Sequence, residues 1–317
     1  GSSMANASPK AARLNPVNVG EGTRDLTEDD TRDAVWINND GSESESSVTY
    51  YPATYFTYTG SNVLTGPTDA NNIEADFTRV EIKSANAPFP KVADRTDCVA
   101  TSCTYDEEIQ NFANWYTYYR SRVLAARAGI GSAFAAQGNN MRVGFGALNK
   151  ASDTVDGVST RVVVRGVRPF SGDSRDEFFS TLYGGDMEPG GTPLRKALDD
   201  VGRYYSRSDN RGPWGNTPGT DDGVATTTHA QCRQSYTILM TDGYWTEGSS
   251  YRASTDDARE NVDGTDGPTK TSPASLAFPS GRTDTYSAES PFSDSYSNTL
   301  ADVAMYYWKR DLRSDLG

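Results

Sequence analysis

An α/β fold is the architecture the sequence predicts: a doubly wound sheet with helices on both faces and long polar insertions. Three observations predict it. Strand-like and helix-like stretches alternate from Tyr105 onward, the order that builds such sheets. The apolar run Thr237–Met240 suits a buried strand and ends at Asp242 and Gly243. A helix opens with Thr192 and Pro193 after two glycines. Open α/β sheets place ligand sites along the edge that carries strand C-termini and helix N-termini.

Residues 1–104 show little periodicity and read as an irregular insertion or small subdomain. Within them SVTYYPATYFTYTG alternates Tyr and Thr and predicts one or two short strands. A helix is expected from Asp106 to about Gln137, because Ile109, Phe112, Tyr116, Tyr119, Val123 and Ala126 recur at steps of three and four. Asp106, Glu107 and Glu108 fill its first turn, where the helix dipole favours them. MRVGFGALN (141–149) and TRVVVRGVRPF (160–170) read as strands able to pair as a hairpin. A short helix follows, with Ser174 as N-cap and Glu177 at capping-box spacing. The next helix, from TPLRKAL, takes Thr192 as N-cap and Pro193 at its first position. After a Gly-, Pro- and Asp-rich loop (208–231) comes the strand SYTILMTDG. A second polar insertion (246–291) precedes an amphipathic helix over 297–312 with Leu300, Val303, Ala304 and Tyr307 in one stripe. The second region thus runs over 105–317.

A net charge of −13 over 317 residues argues against nucleic acid and against docking on anionic lipid, both of which need a basic face. No apolar run approaches the roughly 20 residues of a membrane span, and the opening residues lack the apolar centre of a secretory leader. Abundant Tyr, Ser, Thr, Asn, Asp and Gly resemble extracellular proteins with long polar loops. Cys98 and Cys103 bracket DCVATSC, which a disulfide would close. Metal binding by that pair is disfavoured, since there is no second Cys pair. Cys232 is left over, either buried and inert or paired outside the chain. His229, the only histidine, sits three residues before Cys232 without an orienting third group, a weak Cys–His pair. The acid-rich loops DNRGPWGNTPGTDDG and DARENVDGTDG lack EF-hand spacing and read as solvated. The aromatic runs WYTYY and YYW read as core.

Asp242 is either a metal ligand or the first residue of an Asp-Gly turn, and Thr192 either a ligand or a simple cap. Together, a hydroxyl and a carboxylate on one sheet edge suit a hard divalent cation, Mg²⁺ or Ca²⁺. GGTPL…AL followed by an apolar strand ending in TDG resembles the second and third motifs of the Rossmann-like von Willebrand factor A fold. There the Thr and the Asp help to form a metal-ion-dependent adhesion site. NFANWYTYYRSRVLAARAGIGSAFAAQ, RQSYTILMTDGYW and FSDSYSNTLADVAMYYWKRDL resemble the A-type domain of type IV pilus tip adhesins, the PilY family. The resemblance covers about 105–312. It implies a bacterial, extracellular, pilus-tip protein acting in pilus biogenesis and attachment, with minor pilins or tip proteins and a host or abiotic surface as partners.

The chain departs from that pattern in the first motif, Asp-x-Ser-x-Ser after a buried strand. DGSES at Asp40–Ser44 matches the letters but lies in a Ser- and acid-rich stretch, and the strand expected after the last helix is missing. A site built without that motif binds its cation weakly or not at all. Three readings follow: an adhesion module using a divalent cation, a metal-free scaffold of the pilus tip, and a metal-assisted hydrolase. The last is the poorest, because no nucleophile elbow, P-loop or helical zinc motif is present.

Overall fold

The computed structural model describes residues 5–38, 40–59, 76–92, 94–185, 190–221, 229, 233–241, 243–271 and 282–316. They fall into two compact units, 1–135 and 136–317.

In the first unit four short antiparallel ladders accompany two helices. β1 (Ala12–Arg13) pairs with β2 (Thr23–Arg24), and β3 (Asp30–Ile37) with β4 (Glu43–Tyr50). β5 (Thr54–Tyr58) pairs with β6 (Phe77–Glu81), and β7 (Phe89–Pro90) with β8 (Ser102–Cys103). Helix α1 (Tyr105–Tyr118) starts at a full capping box: Thr104 accepts from the Glu107 amide while the Glu107 carboxylate accepts from the Thr104 amide. Its Ile109 and Ala113 are buried with Leu26, Tyr51, Ile82 and Phe89. Burying one such aliphatic side chain contributes about 2 kcal/mol. The helix expected over 106–137 is in fact two, since the chain leaves α1 at Tyr119 and resumes as α2 (Arg122–Ala135). The break shifts the buried stripe: Tyr119 and Val123 are exposed, whereas Leu124 and Ala128 are buried. Cys98 and Cys103 are joined in a buried disulfide. α1 packs with this first unit, although its sequence pattern had suggested membership of the second region.

In the second unit β9 (Arg142–Gly146) lies antiparallel to β12 (Val163–Pro169), the expected hairpin. β10 (Asp153–Val155) pairs with β11 (Val158–Thr160), and β13 (Lys270–Thr271) with β14 (Thr283–Asp284). Helix α3 (Gly172–Gly184) is preceded by Ser171 as N-cap, so Ser174 lies inside the helix and caps nothing. Phe178 of α3 meets Phe170 edge to face at 5.4 Å. α4 (Leu194–Tyr205) closes on β12 through Tyr204, whose hydroxyl accepts the Val167 amide at 2.8 Å. Burial pushes that phenol up to about 12. α5 (Leu300–Trp308) begins at a second capping box, Thr299 with Asp302, and buries Val303 beside Ala253 and Ala258.

Every ladder among the described residues is two-stranded and antiparallel, and a doubly wound sheet is not among them. Residues 233–241 form no strand, and Tyr236, Ile238 and Met240 are exposed rather than buried. The physical reason is the missing neighbour: no described strand pairs with this segment, and a strand is buried only when adjacent chains cover it.

Candidate functional site

Two glycines bring the start of α4 against the segment that follows Asp242. A Cβ on Gly191 would meet Thr246 Oγ1 at 2.6 Å, and one on Gly190 would fall on the Asn149 side chain. Only glycine permits that approach. The helix itself begins at Leu194 with Pro193 as cap, so Thr192 is not the N-cap its sequence position suggested but stands one residue earlier. Proline fixes the backbone there and needs no amide partner. This frees Thr192 for other contacts.

Its amide donates to Thr246 Oγ1 at 2.8 Å, and the Thr246 amide donates back to the Thr192 carbonyl at 3.1 Å. Thr192 is half-buried, and its hydroxyl makes no hydrogen bond among the described residues. Asp242 lies outside the described residues. Thr246 follows it by four positions in the sequence. The rim therefore offers one neutral oxygen, the Thr192 hydroxyl, while the Asn149 side chain turns its amide nitrogen toward Gly190. An oxygen donor of that kind is one that hard divalent cations accept.

α4 is held in place beneath this rim by Asp199, which is 1% exposed. Its carboxylate accepts the Ser254 amide at 2.9 Å, the Thr255 amide at 3.2 Å and the Tyr307 hydroxyl at 2.8 Å. Burial, and then the Asp199 carboxylate, hold the Tyr307 phenol above its usual range. Arg195 donates to the Asn298 carbonyl at 2.7 Å, tying the first turn of α4 to the residues before α5. Thr246, Asn149 and Asp199 carry no sequence signal. Their partners are long-range, and no spacing announces them.

His229 is buried and structural in its contacts. Arg313 can only donate, so its guanidinium fixes Nδ1 as acceptor at 3.3 Å, and Nε2 donates to Asn210 Oδ1 at 3.0 Å. Cys232 lies outside the described residues. Cys98, Cys103 and Glu108 lie close together, but the two sulfurs are consumed in the disulfide and Glu108 pairs with Arg95 at 2.6 Å. The acid-rich loop at 256–266 is not simply solvated, since Asp263 is buried. The aromatic runs also differ from expectation: Trp115, Tyr119 and Trp308 are exposed, because each falls on the outer side of a helix end.

No family model matches the chain, and no solved structure matches it. It is similar to the type IV pilus biogenesis factor PilY1 of Pseudomonas aeruginosa strain PAK, at 32% identity over 298 residues, 93% of this chain. It is also 33% identical to PilY1 of strain PAO1 over 222 residues, 69% of this chain. The chain spans only about a fifth of the length of these relatives, 21% and 17% respectively. Similarity at this level over most of the chain supports its kinship with the PilY family.

Proposed function

We propose that this chain is the adhesion and biogenesis module of a type IV pilus tip protein. It engages its partner, a tip protein or a surface, through a divalent cation held at Thr192 and Asp242, on a doubly wound von Willebrand factor A-type frame. The observation that carries the pilus reading is the 93% of the chain that aligns with a type IV pilus biogenesis factor. Support for the cation comes from the uncommitted Thr192 hydroxyl and from the Thr192–Thr246 pair, which fastens the helix start to the segment just after Asp242. Bound there, Mg²⁺ or Ca²⁺ would offer an open coordination position to a partner carboxylate. The chain's own part is to hold the helix start and the TDG segment together.

The test is thermal denaturation with Mg²⁺, Ca²⁺ or EDTA, for the wild type, Thr192→Ala and Asp242→Ala, joined to pilus assembly and attachment assays. A cation at 100 times its Kd raises stability by about 2.7 kcal/mol, and that rise should vanish in both variants along with attachment. Melting that ignores cation and chelator alike, in a protein that still supports attachment, refutes the cation. A second reading, a metal-free scaffold of the tip, is favoured by one observation: the segment leading to Asp242 is exposed and has no described strand beside it. Under that reading both variants assemble pili normally.

A further inference from the structure

Lys309, the residue that closes α5, is 4% exposed, yet among the described residues its ammonium has no carboxylate oxygen as a hydrogen-bond partner. Nζ donates to the carbonyls of Val262 at 2.6 Å and Thr265 at 2.8 Å, and to Thr265 Oγ1 at 3.0 Å. The Asp266 carbonyl stands at 3.4 Å. All four oxygens belong to one bend, Val262–Asp266, which wraps around the nitrogen.

The bend is prearranged from outside. Asn261 Oδ1 accepts the Gly264 amide at 2.6 Å, and Asp302, fully buried, accepts the Val262 amide at 2.7 Å. Tyr286 donates its hydroxyl to the Asp263 carbonyl at 3.2 Å. A Cβ on Gly267 would press on the Lys309 carbonyl at 3.2 Å, so the chain passes close to the helix end. Asp263 and Asp302 are both buried near the ammonium and supply negative charge without touching it. Burial draws the Lys309 amine below its usual range, with Arg310 adding to this and Asp266, Asp263 and Asp302 opposing it. Burial holds the Asp263 carboxyl above its own.

Oxygens directed at one positive centre make a cation site, and their distances say which cation. Ca²⁺ takes oxygens at about 2.3–2.6 Å and Mg²⁺ at about 2.0–2.1 Å. The separations here, from 2.6 to 3.4 Å, are those of an ammonium donating hydrogen bonds. We propose that the Val262–Asp266 bend is a monovalent-cation site whose resident ion is the chain's own Lys309 ammonium. Removing that side chain would open the site to a free alkylammonium ion. The acid-rich loop then needs no calcium, because its cation arrives covalently on α5, where a positive charge at a helix C-terminus is also favourable.

The experiment is thermal denaturation of the wild type, Lys309→Ala and Lys309→Met at matched ionic strength in sodium, calcium or n-propylammonium chloride. Lys309→Ala should melt lower than the wild type in sodium by roughly 5–10 °C. Propylammonium should restore part of that loss, and calcium should not. Each variant is scored against the wild type in the same salt, since calcium acting at Thr192 and Asp242 would shift all three proteins alike. Lys309→Met, whose stem fills the place of the lysine's, should stay low by the same margin in all three salts. Propylammonium should not shift the wild type relative to sodium. Equal melting of Lys309→Ala in sodium and propylammonium, better rescue by calcium, or a Lys309→Met as stable as the wild type overturns the proposal. If Lys309→Ala does not fold, amine acetylation of the wild type followed by mass spectrometry decides. Lys309 should react at least about 100-fold more slowly than the exposed Lys10, as a group freed only by local opening does. Equal rates overturn the proposal.

Discussion

Replacing Asp199 separates a charge requirement from a hydrogen-bond requirement under the candidate rim. In Asp199→Ala the Ser254 and Thr255 amides and the Tyr307 hydroxyl lose their acceptor. An unsatisfied buried donor costs about 1–3 kcal/mol. Ser254 is exposed, and Thr255 and Tyr307 are half-buried, so water recovers part of the loss and the sum is about 3 kcal/mol rather than three full penalties. Asp199→Asn behaves differently. Its carbonyl oxygen can face the two amides while its NH₂ donates to the Tyr307 oxygen, since a hydroxyl works in either direction. Only charge assistance is lost, about 1 kcal/mol. For a unit of this size each kcal/mol moves Tm by about 2–4 °C. Circular dichroism melts should thus fall by about 6–12 °C for Ala and about 2–4 °C for Asn. Tyr307→Phe should resemble Asn. An Asn variant as damaged as Ala would show that the negative charge itself is required, and an Ala variant within about 1 °C of the wild type would remove Asp199 as the anchor of α4.

Three further outcomes are expected of the disulfide, the α4–α5 contact and the α1 cap. Replacing both Cys98 and Cys103 by serine opens a loop of sequence separation 5. Chain entropy predicts a loss of about 2 kcal/mol, measured by urea unfolding, with no change beyond the wild type's own loss on adding reductant. Gly202→Ala should destabilise although alanine is the better helix former, because the new Cβ lands on the Tyr307 ring. Overpacking costs about 1–3 kcal/mol against a propensity gain of up to about 1 kcal/mol, and a raised Tm would contradict the contact. Glu107 accepts the Val99 and Thr104 amides and the Thr104 hydroxyl, which hold its carboxyl below its ordinary 4.5. The unfolded chain protonates first, so this stabilisation is whole above the ordinary value and fades as pH falls through the folded one. Wild-type Tm should drop more steeply than that of Glu107→Gln between about pH 5 and pH 3; parallel slopes would discount the capping box.

Local pattern was legible where a single element decides its own burial. The stripe over 297–312 gave α5, the alternation in 141–149 and 160–170 gave the β9–β12 hairpin, and the Cys98–Cys103 spacing gave the disulfide. Contacts between distant segments were not legible. Nothing in the spacing of Thr192 and Thr246, or of Lys309 and Val262, announces that these residues meet. At the start of α4, Pro193 is itself the cap rather than the first helical residue, so the cap falls one residue later than expected. That shift turned Thr192 from the expected cap into a residue whose amide and carbonyl serve Thr246 and whose hydroxyl is left over.

The segment before Asp242 and the bend around Lys309 illustrate one rule with opposite outcomes. Both were read from composition alone: TILM as buried because it is apolar, NVDGTDG as solvated because it is acidic. Apolar residues leave water only when another surface covers them, and Ile238 has none among the described residues, so it is 79% exposed. Acidic residues stay in water only when nothing compensates them inside, and the Lys309 ammonium with the Asp294 amide, which donates to the Asp263 carboxylate at 3.3 Å, does compensate, so Asp263 is 1% exposed. Burial in this chain follows from partners, not from residue type. The same reasoning applies to Thr192 and Asp242. Their chemistry as oxygen donors is fixed by the sequence, but whether they act as one site depends on what holds their two segments together. The Thr192–Thr246 pair joins the helix start to Thr246, which makes Gly191→Ala the substitution expected to part them without changing either of the two residues proposed to hold the cation.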